Sequence, residues 1–310
     1  MKASTTVQTC RRAIASRLGA GLALCLGLLL TSSSLQAQTI VDTQGFGAGA
    51  GYSTTFNGTG QLEGQVPATF NGTCPRTVGP GLSSATVQTA VVKDGGQAVQ
   101  VDRAADSDDR WAIPVSGYPS TGVDMICITW DMLVRGPAST PGVGTFGPLF
   151  GVEAYDDDAA SIGLLGSLFV DATTGDVLYQ SQDDGVLQES GTKVLFNEWN
   201  NYDLVLDYAT KTYNVYVNGV QLLGTAEGFV DENNVAGGLA QFTDADIAAL
   251  AGGADVDSAA LTGTAFFDNF AVLEGADCLT LDPQGEPDIP EPTTAMLVLV
   301  AALGAARRRS

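Results

Sequence analysis

Carboxylates are the commonest of the chain's side chains capable of acid–base chemistry. Histidine is absent from all 310 residues. That removes Ser–His–Asp and Cys–His nucleophilic sites, imidazole-ligated zinc and imidazole proton transfer. Against this stand 35 aspartates and glutamates, so paired carboxyls are the remaining route to catalysis. Enzymes that break glycosidic bonds with such pairs need separations of about 5–5.5 Å for retention or about 6.5–9.5 Å for inversion. Asp203 and Asp207 share a face of one expected strand, yet four residues at about 3.3 Å place them roughly 13 Å apart. Asp255 and Asp257 are better spaced but lie in a Gly/Ala-rich stretch with no strand to hold them. These acids are expected to be solvated. Cys127 would need a base other than imidazole to act as a nucleophile. Residues 142–147 formally match G-x-G-x-x-G, but no helix follows to offer its N-terminus to a phosphate, so the stretch reads as a loop.

With no imidazole and many carboxylates, a hard cation held by oxygen, Ca²⁺, is the metal to expect. Candidate ligands are Asp156, Asp157 and Asp158 in one acidic turn, and Asp231 with Asn233 in another. Residues 106–109 form a third acidic loop. None has the D-x-[DN]-x-[DN]-G spacing of a dedicated calcium loop. Trp111, Tyr118 and Tyr155 are candidate aromatic platforms for a sugar ligand, with a core position as the competing reading for Trp111. Asn57 and Asn71 stand in glycosylation-type triplets, but each Asn-Gly pair is equally a turn signal.

Between residues 38 and 290 the chain carries seven basic against 34 acidic residues, a net charge of about −27. Such a body repels nucleic acid and anionic lipid, so no nucleic-acid partner is expected. An apolar content of 45 % and abundant strand-like segments argue against disorder.

The elements that would position any site are strands. Residues 124–134 alternate cleanly, with Ile126, Ile128, Trp130, Met132 and Val134 on one face, so Trp130 is expected in the core. Residues 145–154, 162–170 and 177–180 follow as strands, then 199–207 and 211–217, then a tight turn at Asn218-Gly219 and a strand over 220–224. Shorter strands are expected over 52–56, 86–92 and 98–102. Thr243 followed by Asp244 and Asp246 reads as a capped start, so one short helix is expected over residues 244–251, stopped by Gly252-Gly253. Residues 264–273 close the pattern.

The run Glu198-Trp199-Asn200-Asn201-Tyr202, the turn Val215-Tyr216-Val217-Asn218-Gly219 and the closing Phe267-Asp268-Asn269-Phe270 resemble the laminin-G-like/concanavalin A-like jelly roll. The resemblance covers about residues 85–275. It implies an all-β fold, a two-sheet antiparallel jelly-roll sandwich, which hosts sugar binding, adhesion and glycoside hydrolysis alike. Hydrolases of that group share an E-x-D-x-x-E strand motif, and this chain lacks it. Three cysteines remain outside the leader: Cys74, Cys127 and Cys278. Cys127 lies in a strand, while Cys74 and Cys278 lie in loop-like sequence near neighbouring ends of a jelly roll, so the expected disulfide is Cys74–Cys278 with Cys127 left over.

The two ends read as addresses. Lys2, Arg11, Arg12 and Arg17 precede an apolar run over 18–30, with a small-residue cleavage site at Ala37. At the other end, Pro290-Glu291-Pro292 precede an apolar run over 295–306 and then Arg307-Arg308-Arg309. This order is similar to the PEP-CTERM sorting signal of exported bacterial proteins, which implies processing by a membrane-embedded exosortase. Twelve apolar residues rise roughly 18 Å as a helix against a hydrocarbon core of about 30 Å, so the tail reads as a transient membrane contact.

The expected organisation is therefore a signal peptide (1–37), a β-sandwich (38–281), an acidic linker (282–288) and a sorting signal (289–310). The expected role is a non-enzymatic cell-surface or extracellular-matrix protein that binds carbohydrate or exopolysaccharide or acts in adhesion. A divergent polysaccharide hydrolase or lyase, and a structural coat component, are the alternatives.

Overall fold

Period-two alternation of apolar and polar residues gives the long strands of this chain one face against a second sheet. The computed structural model describes residues 37–65, 76–78, 81–137, 142 and 145–275. The basic and apolar leader, Cys74, Cys278, the acidic linker and the Pro290-Glu291-Pro292 and Arg307-Arg308-Arg309 motifs lie outside the described residues.

In chain order the first strands are β1 (Gln38–Asp42), β2 (Arg76–Val78), β3 (Ser84–Gln88), β4 (Ala98–Arg103), β5 (Asp109–Tyr118) and β6 (Met125–Val134). Then come β7 (Leu149–Asp156), β8 (Gly163–Asp171), β9 (Asp176–Gln180), β10 (Leu187–Lys193) and β11 (Trp199–Asp207). The last are β12 (Thr212–Val217), β13 (Val220–Gln221), β14 (Glu227–Gly228), β15 (Phe242–Leu250) and β16 (Gly263–Glu274), with one short helix, α1 (Val256–Ala259), between β15 and β16.

Two antiparallel sheets face each other. One runs β13-β12-β11-β6-β16-β4-β3, with β1 also on β16 and β14 on β12; the other runs β10-β9-β8-β7-β15-β5-β2. The all-β jelly-roll sandwich expected from the sequence is the fold observed. First and last strands are neighbours, as β1 pairs antiparallel with β16. Asn218 and Gly219 adopt φ of 51° and 74°, the doubly positive turn whose twist suits a two-residue hairpin.

The core sits between the sheets. From the first sheet come Ile126, Ile128, Trp130, Met132, Tyr202, Leu204, Leu206, Phe267 and Phe270; from the second come Trp111, Ile113, Phe150, Val152, Ala154, Ala245, Ile247 and Ala249. Trp130 and Tyr202 are cross-strand partners and stack with centroids 5.7 Å apart and planes 13° apart. Trp111 is also in this core and 2 % exposed, so it is not a surface platform for a ligand.

The expected helix over 244–251 is corrected: these residues belong to β15, a central strand paired with β5 on one side and β7 on the other. Ala245, Ile247 and Ala249 point into the core while Asp244, Asp246 and Ala248 alternate with them, and packing against two neighbours overrides the cap-like Thr-Asp opening. The helix forms one turn later, where the Asp255 carboxylate accepts a bond from the Ser258 amide at 2.9 Å and caps α1. Residues 52–56 form no strand; a short 3₁₀ turn occupies Phe56–Gly58. Strands β5 and β10 were not expected.

Truncating the stacked indole leaves a large cavity in the middle of the sandwich. Trp130→Ala is expected to lower unfolding free energy by about 3–5 kcal/mol, whereas Val256→Ala, at a side chain 80 % exposed, changes it by less than about 0.5 kcal/mol. Urea denaturation of the two variants checks this.

Candidate active site

The polar residues with no place in the core gather on the outward face of the seven-stranded sheet. Alternation along β15 turns Asp244, Asp246 and Ala248 outward, along β7 it turns out Gly151, Glu153 and Tyr155, and along β5 it turns out Arg110 and Ala112. Register brings them into rows. Asp246 is the direct partner of Glu153 on one side and Ala112 on the other. Glu153 in turn pairs with Ser167 of β8, so one row reads Ala112, Asp246, Glu153, Ser167. Ala248 stands between Arg110 and Gly151 in the adjacent row. These small residues keep the floor low, and the guanidinium reaches across β15 to the carboxylate on β7.

Arg110 grips Glu153 with two donors: Nε bonds Oε2 and Nη2 bonds Oε1 at 3.3 Å. The Tyr155 hydroxyl donates to Glu153 Oε2 at 3.1 Å. Bidentate, charge-assisted contacts of this kind fix a carboxylate's orientation more firmly than a lysine would. Thr243 Oγ1 lies 3.1 Å from Asp244 Oδ1 and donates toward it and toward the Tyr155 carbonyl. Glu153, Asp244 and Asp246 are 2–3 % exposed. Two buried polar atoms on this face have no hydrogen-bond partner, Asp246 Oδ1 and Ser167 Oγ, and they flank Glu153 on either side.

Three carboxyl groups around one guanidinium cannot all ionise freely. Burial, then the charge of Asp244 and its side-chain hydrogen bond, then the charge of Glu153 push the Asp246 carboxyl well above the usual range, and Arg110 only partly opposes this. Burial and the Glu153 charge likewise raise the Tyr155 phenol. For Arg110 the pull of Glu153 outweighs burial and holds the guanidinium firmly protonated. The row thus sets an ion-paired Glu153 beside an Asp246 carboxyl whose affinity for its proton is raised.

Of the aromatic candidates, only Tyr155 is at this site. Tyr118 lies at the far end of β5 opposite Phe242. The candidate calcium ligands are engaged by the backbone and by other loops. Asp156 is 1 % exposed and accepts from the amides of Ala240, Gln241 and Asp158. Asp231 accepts from the Leu164 amide, and Asn233 donates to Asp183. Asp157 donates its amide to Thr243 Oγ1. Among the described residues no group of three or more acids or thiols is placed to hold a metal ion, and Ca²⁺ at Asp156, Asp157, Asp158, Asp231 and Asn233 remains an expectation. Cys127 is disulfide-bonded. This corrects the expectation of Cys127 as the leftover thiol; Cys74 and Cys278 lie outside the described residues. The outward position of Cys127 beside Leu273 of the last strand brings it to where the chain leaves the sandwich.

Two other polar regions lack this arrangement. On the outward face of the other sheet, Asp268 accepts from the Lys93, Asp94 and Asn269 amides, and Asp131 accepts from Lys93 Nζ at 2.9 Å and Asn269 Nδ2 at 2.8 Å. Those carboxylates hold a loop and a strand bulge. A cavity of about 670 Å³ is lined by Asp102, Arg103, Arg135 and Thr264 among others. Its Arg103 donates to the Ala259 and Leu261 carbonyls and its Asp102 accepts from Thr264, so it holds no facing carboxyl pair.

No protein-family model and no curated relative matches this chain. Solved structures share the sandwich at low identity. Cellulose induced protein, Cip1, is 10 % identical with a TM-score of 0.44, covering 66 % of this chain and 92 % of that one. An endo-beta-1,4-glucuronan lyase from the fungus Trichoderma reesei is 10 % identical with a TM-score of 0.43, covering 62 % and 87 %. The alginate lyase Aly36B is 11 % identical with a TM-score of 0.41, covering 59 % and 82 %. At such identity the likeness concerns the fold alone. The expectation of a non-enzyme is corrected to this extent: chains of similar fold include lyases, so the sandwich does not by itself speak against catalysis.

Two titrations test the electrostatics. In a carbon-13 carboxyl titration Asp246 is expected to keep its proton well above the range of exposed aspartates, and Glu153→Gln, which removes a neighbouring negative charge, to move its midpoint down. An Asp246 that titrates with the surface acids refutes the account. On the other sheet, burial, eased by a bond from Thr129 and reinforced by the Asp131 charge, pushes Asp203 up to about 6 from an ordinary 3.8. A carboxyl raised in the folded state gives stability that is complete below its unfolded value and lost as pH rises through its folded one. Asp203→Asn is therefore expected to match the parent in stability near pH 4 and exceed it near pH 7 by on the order of 2 kcal/mol, read by urea unfolding at both values.

Proposed function

We propose that this chain is a polysaccharide-cleaving enzyme whose site is the Asp246–Glu153 row on the outward face of the seven-stranded sheet. The observation that carries this reading is the juxtaposition, on adjacent strands, of Asp246, one of whose buried oxygens has no partner, and a Glu153 carboxylate held by Arg110 and Tyr155. One group is suited to protonate a leaving oxygen and the other to meet the positive charge that develops as the bond breaks. The unpartnered Asp246 Oδ1 and Ser167 Oγ supply polar contacts that substrate hydroxyls would complete.

An exported location belongs to the same proposal. The leader ending at Ala37 directs secretion, the Pro290-Glu291-Pro292 tail is processed by an exosortase-type enzyme, and the substrate is a glycan of the cell surface or extracellular matrix.

Release of new reducing ends from a panel of polysaccharides by the secreted protein is the test. Asp246→Asn and Glu153→Gln are each expected to lower that rate by at least about 100-fold while the far-ultraviolet circular dichroism stays that of a β-sandwich. Full activity in both variants would remove the row from the chemistry.

A further inference from the structure

We infer that the cavity at one end of the sandwich is a binding site for a sugar that carries a carboxylate, held through Arg135 and separate from the Asp246–Glu153 row.

Both sheets build this cavity. Asp102 and Arg103 end β4, Arg135 follows β6 and Gly263 opens β16, while from the second sheet Pro148 precedes β7 and Thr173 follows β8. Its volume of about 670 Å³ falls within the range of small-ligand sites, about 300–1,000 Å³. The sheets meet closely on this wall, because a Cβ at Gly263 would come within 2.8 Å of the Pro148 ring and 3.1 Å of Phe150. Pro148 precedes Glu153 by five residues, roughly 17 Å along an extended strand. Cavity and row are therefore distinct places.

Charge points to the ligand. Seven basic residues stand against 34 acidic ones between residues 38 and 290, and two of those seven line this cavity. Arg103 is buried and braces the wall: its Nη1 donates to the Ala259 and Leu261 carbonyls and its Nη2 pairs with Asp108 at 3.4 Å. Arg135 is the opposite case. It is exposed, its guanidinium carbon lies 5.3 Å from the Phe266 ring centroid, and its bond to Asn197 Oδ1 is long at 3.4 Å. Among the described residues the ion pairs occupy Lys93, Arg103, Arg110 and Lys193, and Arg135 has no carboxylate partner. In a body so rich in acids, that arginine keeps its fork for a carboxylate from outside. Stacking on Phe266 fixes the plane of the fork. Asp102 does not compete for it, since its oxygens accept from Thr264 at 2.5 Å and from Gln100 at 2.7 Å.

The rest of the lining suits a sugar ring rather than a bare anion. Thr173 donates its hydroxyl to Asp171, which leaves its oxygen as an acceptor for a sugar hydroxyl. Thr262 adds a second hydroxyl, and Pro137 and Leu261 offer apolar surface to the C–H face of a ring. The negative field of the body opposes every anion at long range. Recognition must then come from contacts inside the cavity, and a carboxylate alone would make few of them.

The exported protein is titrated by calorimetry with glucuronate, galacturonate and mannuronate, as monosaccharides and as tetramers, alongside the matching neutral sugars and acetate. At least one acidic sugar is expected to bind about 10-fold or more tighter than its neutral counterpart and than acetate, the gain of one charge-assisted contact. The tighter of monosaccharide and tetramer tells a free sugar acid from a polymer. Arg135→Gln is expected to lower that affinity at least about 10-fold at an unchanged melting temperature. Arg135→Lys restores only part of it, because an ammonium lacks the fork, and Asp246→Asn leaves it as it was. Equal affinity for the neutral sugars overturns carboxylate recognition, and acetate binding as tightly overturns the sugar. Binding that survives Arg135→Gln, or is lost in Asp246→Asn, overturns the location. No binding of any probe overturns the site while leaving the cleaving row untouched.

Discussion

The register of β15 between β5 and β7 is the constraint on which the rest depends. It sends Ala245, Ile247 and Ala249 into the core and, by the same alternation, sets Asp244 and Asp246 on the opposite face against Glu153. A slip of one residue would exchange the two sets, burying aspartates between the sheets and exposing isoleucine. Core packing and site assembly are therefore one decision.

Once the register is set, the electrostatics follow. Charges taken from water are tolerated where partners satisfy them, and they are costly otherwise. On the first sheet the solution is structural: Asp268 and Asp131 are surrounded by amides, Asn269 and the Lys93 ammonium. At Asp109 burial raises the carboxyl, but bonds from Ser107, Ser83 and Gly81 outweigh it and hold the group low. The outward row of the second sheet is different. Glu153 is matched there by Arg110 and Tyr155, while Asp246 is left with a raised affinity for its proton and one oxygen with no partner.

The strands that announce themselves in the sequence are those with one apolar face and long alternation. β6 and β11 are legible almost to the residue, and Asn218-Gly219 marks its hairpin because few other pairs accept two positive φ angles. β5 escapes because Asp109, Arg110 and Pro114 interrupt its apolar run. β10 escapes because, as an edge strand, it has little to bury and keeps Glu189 and Lys193 in water. β15 was misread because aspartates after a threonine are also what a helix start looks like, and alanine favours a helix when nothing else decides. The site's residues went unnoticed for a related reason: Glu153 and Asp246 lie about ninety residues apart, and no local motif records that two strands will be neighbours.

By itself the sequence determined the all-β class, the inward faces of the long strands, the acidic character of the body and the exclusion of imidazole chemistry. Those properties are local or compositional: they follow from periodicity, from turn residues and from what is missing. Tertiary structure alone decided that Asp246 would stand beside Glu153, that Arg110 would reach across β15 to pair with it, and that a helix-like segment would become the central strand. Such outcomes depend on which strands pair and in what register, a choice made by the burial of both sheets together rather than by any stretch of chain.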